Sequence, residues 1–534
     1  MNYLKLSLVA LTTALLFSCA DDDETNEVVT IPETSKTEVA LSTMLETPAI
    51  TTLNPSGVAP LTAELKLETK LASNVEITVL GSIPVNKKFN TASTLQELNI
   101  LGLYPGITNR VAVRVETEQN FALDTLEITT DSLPSVLPSI EINMAQPALM
   151  EAGMNFNNLS ITDGTNFQPY PLAYDHEGNV RWFLNLENIF PGFVSPMERL
   201  SNGNLLCETG KTIVQIDMMG RIQKQTLLPT GYSSHHDVIL LPNGNYLVAV
   251  DKVSNQISVN GTTVSTLEDV MIEISGTTGA LIEEWNFADI LDVDRGDYIA
   301  LPTPLTATVD WFHMNAVYYS EIDDSFIISG RNQGLVKVGR NNNLNWIMAP
   351  HRGWGKAGAS GNGAATAPFL LTAVNASGSA YDSLIQDGSD KASDFDWVWG
   401  QHAPMTLPNG NLLVFDNGFN RNFSGNDEYS RAVEYKVNEQ NKTIEQVWSY
   451  GESRGVETLS TIISDVDYLP NTGNVLFCPG IRFGENYSKI IEVSRPGGQV
   501  IFEGTMDFTN ERSVTSGFGR FDLTYRAERM TLYP

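Results

Sequence analysis

Six histidines occur in 534 residues, and where they fall is informative. His236 stands six residues before Pro242 and His402 six residues before Pro408, each proline lying in a Leu-Pro-Asn-Gly-Asn turn. A repeat that sets two imidazoles at one position brings both to the same end of equivalent strands. His313 occupies the corresponding place before Met314–Ser320, although the turn after it, Ile322-Asp323-Asp324-Ser325, lacks the Pro-Asn-Gly signature. Three converging imidazoles can act as nucleophile, acid and base near neutral pH, or can ligate a transition metal. Arg331 follows the apolar run Phe326–Ser329 in the repeat that holds His313. Its planar fork suits a tetrahedral oxyanion, and a fixed cation beside the imidazoles works against a metal. His235, Asp237, Asn315, Gln401 and Asp416 flank these positions and are candidates for fixing an imidazole tautomer.

The elements that must position these residues are strands. From residue 140 onward a strand–turn–strand unit recurs at Leu200–Leu206, Leu241–Leu247 and Leu407–Leu413, with a looser copy at Leu469–Leu476. Asn-Gly supplies the positive φ angles that a tight hairpin needs. A second unit, an apolar strand, a turn, and a strand ending in or near Trp or Phe, has six copies: Tyr174–Trp182, Ile213–Gln223, Val270–Trp285, Leu335–Trp346, Val433–Trp448 and Ile490–Phe502. Helical periodicity is scarce. The pattern predicts an all-β chain whose residues 140–534 form a six-bladed β-propeller, closed by a C-terminal strand near Leu523–Leu532. Its channel would then collect His236, His313, Arg331 and His402. Period-two alternation over residues 37–135, as in Ala63–Glu68 and Val111–Val115, predicts a small β-sandwich ahead of it, of fibronectin or immunoglobulin type. A Gly-, Ala- and Ser-rich insertion at 355–395 reads as either a lid over the channel mouth or a long irregular loop.

The N-terminus reads as an export signal. Lys5 precedes an apolar run from Leu6 to Phe17, too short to span a bilayer and suited to the core of a secretory signal. The run ends in Leu16-Phe17-Ser18-Cys19, which resembles a lipobox, so residues 1–18 would be removed and Cys19 lipidated. Residues 19–36, opening with Asp21-Asp22-Asp23-Glu24, read as an acidic flexible tether. The expected location is the periplasm or outer membrane, with exposure on the cell surface open. A formal net charge of -30 excludes nucleic acid as a partner and requires a local cationic pocket for any anionic substrate. Cys207 and Cys478 read as buried free thiols, with a bridge between them as the alternative. A propeller can work as a monomer, and the tether permits a homodimer.

His-His-Asp at 235–237, Asp-Trp-Phe-His-Met-Asn at 310–315, Ser-Gly-Arg at 329–331, Ala-Pro-His-Arg-Gly at 349–353 and Gly-Gln-His-Ala-Pro at 400–404, in that order, resemble the motif series of the bacterial arylsulfate sulfotransferases. The resemblance runs from about residue 140 to the C-terminus. It implies a propeller enzyme that moves a sulfuryl group from an aryl sulfate to another phenol, in two displacements, with no nucleotide sulfate donor and no cofactor. It further implies His402 as the nucleophile that becomes sulfohistidine, His313 as general acid and base, and His236 and Arg331 as holders of the sulfuryl oxygens. Some family members carry a disulfide closing a short loop near the site. Cys207 and Cys478 are too distant in sequence to form that loop.

Two other classes stay open at the level of sequence. One is a non-enzymatic surface lipoprotein whose propeller binds a glycan or a protein. It explains the tether and the sandwich and leaves the repeat-equivalent histidines without a purpose. The other is a histidine-ligated metalloenzyme on the same propeller.

Overall fold

The computed structural model describes residues 36–162, 166–190, 192–259, 261–293, 295, 308–354, 365–426, 429–509 and 522–534. The signal segment 1–18, Cys19, the tether up to residue 35 and residues 355–364 of the insertion lie outside the described residues. Among those described, no helix is long and apolar enough to cross a membrane.

Among the described residues, those beyond 138 form six blade-like sheets of four or five strands, apart from one short two-stranded hairpin. Blade 1 combines Leu523–Met530 with Met154–Thr162, Leu172–Tyr174 and Val180–Phe183; blade 2 comprises Ser195–Arg199, Leu205–Glu208, Thr212–Ile216 and Ile222–Leu227. Blade 3 comprises Tyr232–Leu240, Tyr246–Lys252, Val270–Ile274 and Leu281–Asn286; blade 4 comprises Met314–Ser320, Ser325–Gly330, Gly334–Gly339 and Leu344–Met348. Blade 5 comprises His402–Thr406, Leu412–Asp416, Arg431–Asn438 and Thr443–Tyr450; blade 6 comprises Asp465–Tyr468, Val475–Cys478, Tyr487–Val493 and Val500–Asp507. The first-named strands of the six blades touch one another in cyclic order and line the axis. Both chain ends close the ring. The C-terminal strand is the inner strand of blade 1, paired with Met154–Thr162. Ser139–Ala145, which the repeat pattern does not mark, adds an outer strand to blade 6.

The recurring turn has a structural reason. Its second asparagine reaches the third strand: Asn245 Nδ2 donates to Glu273 Oε1 at 2.7 Å, Asn411 Nδ2 to Glu434 Oε1 at 2.6 Å, and Asn474 Nδ2 to Glu492 Oε1 at 2.7 Å. Blade 4 inverts the polarity. Lys337 holds the same ladder position as Glu273, and its Nζ donates to Asp323 Oδ2 of the turn at 2.6 Å. That exchange of an acid for a lysine explains why this turn carries aspartates. Blades are joined by apolar packing as well as by ion pairs; Trp285, Trp311 and Phe326, for example, are fully buried between blades 3 and 4. Cys207 and Cys478 are buried and free.

The strands of the N-terminal domain form one six-stranded sheet, in which two long strands, Thr62–Val79 and Val85–Leu101, pair with each other over most of their length. The first half of Thr62–Val79 pairs with Ile50–Leu53 and the second half with Thr108–Glu116. Alternating Leu65, Leu67, Val75, Ile77, Val111, Val113 and Val115 are buried in the core. Arg181 of blade 1, fully buried, docks this domain. Its Nη2 donates to Gly102 O at 2.7 Å, its Nη1 to Ile83 O at 2.8 Å and to Asp175 Oδ2 at 3.0 Å, and its guanidinium lies 3.6 Å from the ring centroid of Tyr104.

The described part of the insertion corrects the expectation of a lid or irregular loop. Thr372–Ala373 pairs in parallel with the outer strand of blade 5, Leu371 N donates to Ile347 O of blade 4 at 2.9 Å, and Leu371 and Ala373 are fully buried. Apolar side chains inside a polar-looking stretch fasten it against the outer edges of two blades.

Candidate active site

The inner strands are irregular where the chemistry sits. The ladder slips between Ser234 and Val238 in blade 3, between Met314 and Ala316 in blade 4, and between His402 and Met405 in blade 5. His236 and His313 take left-handed backbone angles, φ 60° and 55°, as does Ala403 beside His402, at 48°. Such a conformation costs a non-glycine residue roughly 1–2 kcal/mol, so the surrounding bonds must hold it. The bulges re-aim side chains out of the sheet and toward the axis.

His402 is buried, and its tautomer is fixed. Nδ1 faces Asn417 Oδ1 at 2.7 Å and Gly400 O at 3.1 Å. Both are acceptors, so Nδ1 carries the hydrogen and Nε2 carries the lone pair. Asn417 is oriented in turn by donating to Ser460 O at 2.7 Å and Ile463 O at 2.9 Å. Nε2 accepts a hydrogen bond from Asn315 Nδ2 at 3.0 Å. Burial, together with the charges of Arg331, His236 and His313, holds the His402 pKa well below 6.5, against the opposing bond to Asn417. The ring is therefore neutral at physiological pH, with the Nε2 electron pair pointing at the Asn315 amide.

His313 is the opposite case. Its Nδ1 lies 2.7 Å from Glu268 Oε2 and 2.5 Å from Asp310 Oδ2. Burial works against a charge here, but the two carboxylates outweigh it and lift the pKa to about 9. Glu268 is driven well below the usual carboxylate range: burial alone would raise it, and the bonds to His236 and His313 prevail. His236 completes the group. Its ring centroid is 5.1 Å from that of His313, its Nε2 is 3.6 Å from Glu268 Oε2, and its Nδ1 is 2.8 Å from the Tyr525 hydroxyl.

Arg331 lies where the hairpin of blade 4 turns, with its backbone N–H donating to His313 O at 2.9 Å. Its guanidinium stacks 4.4 Å from the centroid of Phe419 and reaches Thr461 O at 3.4 Å. With Trp399, Gly400, Gln401 and Phe419 it lines a cavity at the His402 end of blade 5.

Of the flanking candidates, Asn315 does touch an imidazole. Gln401 acts one step back: its carbonyl accepts from Asn315 Nδ2 at 2.9 Å, and its own amide donates to Ser329 Oγ at 3.1 Å. His235 packs against His236, with centroids 5.3 Å apart, and burial pulls its pKa down to about 3. Asp237 and Asp416 do not orient imidazoles. Asp237 accepts from the backbone of Val317 at 2.7 Å and from Arg526 at 3.3 Å, and Asp416 binds Arg421 and Arg431 at 3.0 and 2.8 Å. Both are spent on holding loops and blades together. The site residues not singled out from sequence are Glu268, Asp310, Asn417 and Tyr525. Asp310 opens the motif around His313 and Asn417 follows Asp416, so both were within reach; Glu268 and Tyr525 carry no repeat signal at all.

Two groups, His235 with His236 and Glu268, and Glu268 with Asp310 and His313, set their ligand atoms within 4.8 Å of one another, a spacing a divalent cation would accept. In the structure the two carboxylates engage His313 Nδ1, which cannot hold a proton and a cation together.

A ring of blade-like sheets whose channel gathers histidines, carboxylates and an arginine is a β-propeller with a cluster of titratable side chains on its axis. Residues 140–515 match the family model described as arylsulfotransferase (ASST), and residues 50–132 match that of the arylsulfotransferase Ig-like domain. The chain belongs to the arylsulfotransferase family and is an enzyme. Among its relatives, arylsulfate sulfotransferase AssT of Escherichia coli O6:H1 is 27% identical over 503 residues, covering 78% of this chain and 82% of the relative. The enzyme of the same name from Lelliottia amnigena is 26% identical over 501 residues, with the same coverage of both chains.

Proposed function

We propose that the protein transfers a sulfuryl group from a phenolic sulfate ester to a second phenol, through a sulfohistidine on His402. The observation that carries this reading is the contrast between two imidazoles: His402 neutral, with its hydrogen on Nδ1 and its Nε2 lone pair held by Asn315, and His313 charged and able to give up a proton. In the first displacement Nε2 of His402 attacks sulfur, the bond from sulfur to the aryl oxygen breaks, and His313 protonates the departing phenolate. The N-sulfo ring keeps its Nδ1 hydrogen between Asn417 and Gly400, which stabilises the positive charge left on the imidazole. In the second, His313 takes the proton of the incoming phenol, its oxygen bonds to sulfur, and the N–S bond breaks. A covalent intermediate divides one difficult displacement into two easier ones. Arg331 and His236 would hold the sulfuryl oxygens, whose charge is the main thing an enzyme can stabilise in such a transfer.

The test follows phenol release by the purified protein from a fluorogenic aryl sulfate, with and without a phenolic acceptor and a chelator. Release that rises with acceptor and ignores the chelator supports the reading. Loss of release to the chelator would favour metal-dependent chemistry, and no release under any acceptor would favour a binding propeller. We also propose export with lipidation at Cys19, tested by fatty-acid labelling that Cys19→Ala should abolish.

A further inference from the structure

The carboxylates in this site are out of place for an enzyme that must admit a sulfate ester. The whole chain is strongly acidic, and Glu268 and Asp310 add two negative charges beside the channel. Each repels the donor unless a partner neutralises it, so their presence needs a chemical reason.

Glu268 is held with unusual care. It sits on left-handed backbone, φ 55°, in the loop before the third strand of blade 3. Its N–H donates to Asp251 Oδ1 at 2.9 Å, and its C=O accepts from the N–H of Met314, the residue after His313, at 2.8 Å. The next residue, Asp269, fastens the same loop by accepting from Asn255 Nδ2 at 2.9 Å, from Thr266 Oγ1 at 2.9 Å and from Trp311 Nε1 at 2.7 Å. A loop of blade 3 thus grips the approach to His313 in blade 4 on both sides of the histidine. The Glu268 carboxylate is delivered to His313 Nδ1 on one side and to within 3.6 Å of His236 Nε2 on the other. Asp310 reaches Nδ1 of His313 from three residues upstream. With Asp310 accepting the Nδ1 hydrogen and Glu268 Oε2 paired 2.7 Å from the same atom, Nε2 of His313 makes no hydrogen bond to the described residues and is the atom left for substrate.

We infer that Glu268, together with Asp310, positions the acid–base step: Asp310 accepts the Nδ1 hydrogen of His313, Glu268 pairs with the same edge of the ring, and Nε2 is left for the phenolic oxygen. This rests on His313 as the acid–base group. As the aryl oxygen leaves sulfur, the Nε2 proton moves to it and His313 becomes neutral, still donating from Nδ1 to Asp310. When the acceptor phenol arrives, Nε2 takes its proton as the new oxygen–sulfur bond forms. Neither carboxylate gains or loses a proton in the cycle. A carboxylate behind an imidazole acts by orientation and by stabilising the charged ring. Here one carboxylate, Glu268, also spans to the imidazole of His236.

The experiment compares full-length wild type, Glu268→Gln, Asp310→Asn and His313→Ala with phenyl sulfate, a poor leaving group, and nitrophenyl sulfate, a good one. Loss of a general acid costs about 10²-fold or more, so Glu268→Gln should lose that much kcat with phenyl sulfate and less than about 10-fold with nitrophenyl sulfate, at similar KM. Asp310→Asn should lose at least as much, in the same pattern, because Asp310 accepts the Nδ1 hydrogen. Glu268→Gln added to His313→Ala should cost nothing further, since the two act as a unit. Equal losses for both donors, or full additivity with His313→Ala, would overturn the inference. Sulfohistidine formation from nitrophenyl sulfate is followed in parallel. If wild type forms it and Glu268→Gln loses equally with both donors, only the role of Glu268 fails. If wild type forms none, the transfer reading and this inference fall together.

Discussion

The 2.7 Å bond from His402 Nδ1 to Asn417 Oδ1 decides which nitrogen of the imidazole can act as a nucleophile. Without it only the longer contact to Gly400 O, at 3.1 Å, holds the hydrogen on Nδ1, and the ring is freer to carry it on Nε2, where the sulfur must bind. Asn417→Ala should therefore lower kcat by roughly 10²-fold, the scale seen when a residue that orients a reactive imidazole is removed. Steady-state kinetics beside an unfolding curve checks this; a loss of activity no larger than the loss of folded protein would contradict it.

Acidity separates the two histidines. His402 stays neutral until well below pH 6.5, and His313 stays charged until about pH 9. The donor half-reaction, which needs a neutral nucleophile and a charged acid, should be flat through neutrality and fall as pH rises through about 9. The sign follows for stability as well: because the folded pKa of His313 is raised, its ion pairs stabilise fully below about 6.5 and are lost as pH passes 9. A pH profile of kcat/KM for a poor-leaving-group donor measures the first effect.

How the sequence foreshadowed the site depends on the residue. His236 and His402 were legible because a turn with a fixed reach, asparagine to a third-strand glutamate, marks the register of each blade and so of the histidine before it. His313 was legible despite a turn of inverted charge, because its strand pattern survives. Glu268 was not, since it enters from a loop whose grip on blade 4 exists only after folding. Tyr525 comes from the C-terminal strand, which joins the first blade only when the ring closes. The insertion misled in the other direction. Its composition is that of a loop, yet Leu371 and Ala373 are buried against neighbouring blades.

Arg331 should not tolerate lysine. A guanidinium offers a planar fork and stacks on Phe419, where an ammonium does neither as well. Arg331→Lys should reduce kcat/KM by about 10-fold or more while leaving the unfolding midpoint nearly unchanged. Unchanged kcat/KM would remove Arg331 from the site.

Arg181 belongs to stability instead. Arg181→Ala leaves Asp175 buried without its charged partner and strips the contacts to Gly102 and Ile83. Breaking a buried pair from one side costs about 3–5 kcal/mol, so the variant should unfold earlier, with the N-terminal domain losing its dock. Denaturation monitored by tryptophan fluorescence tests this, and the folded fraction should keep its turnover.

The central claim is that His402 carries the sulfuryl group, and a quench experiment tests it most directly. Full-length enzyme is mixed with an aryl sulfate in the absence of acceptor, quenched, digested and weighed. The account predicts one added SO₃ on the peptide containing His402, discharged by a phenol and absent from His402→Ala. Label on another residue, or turnover that survives in His402→Ala, would contradict it.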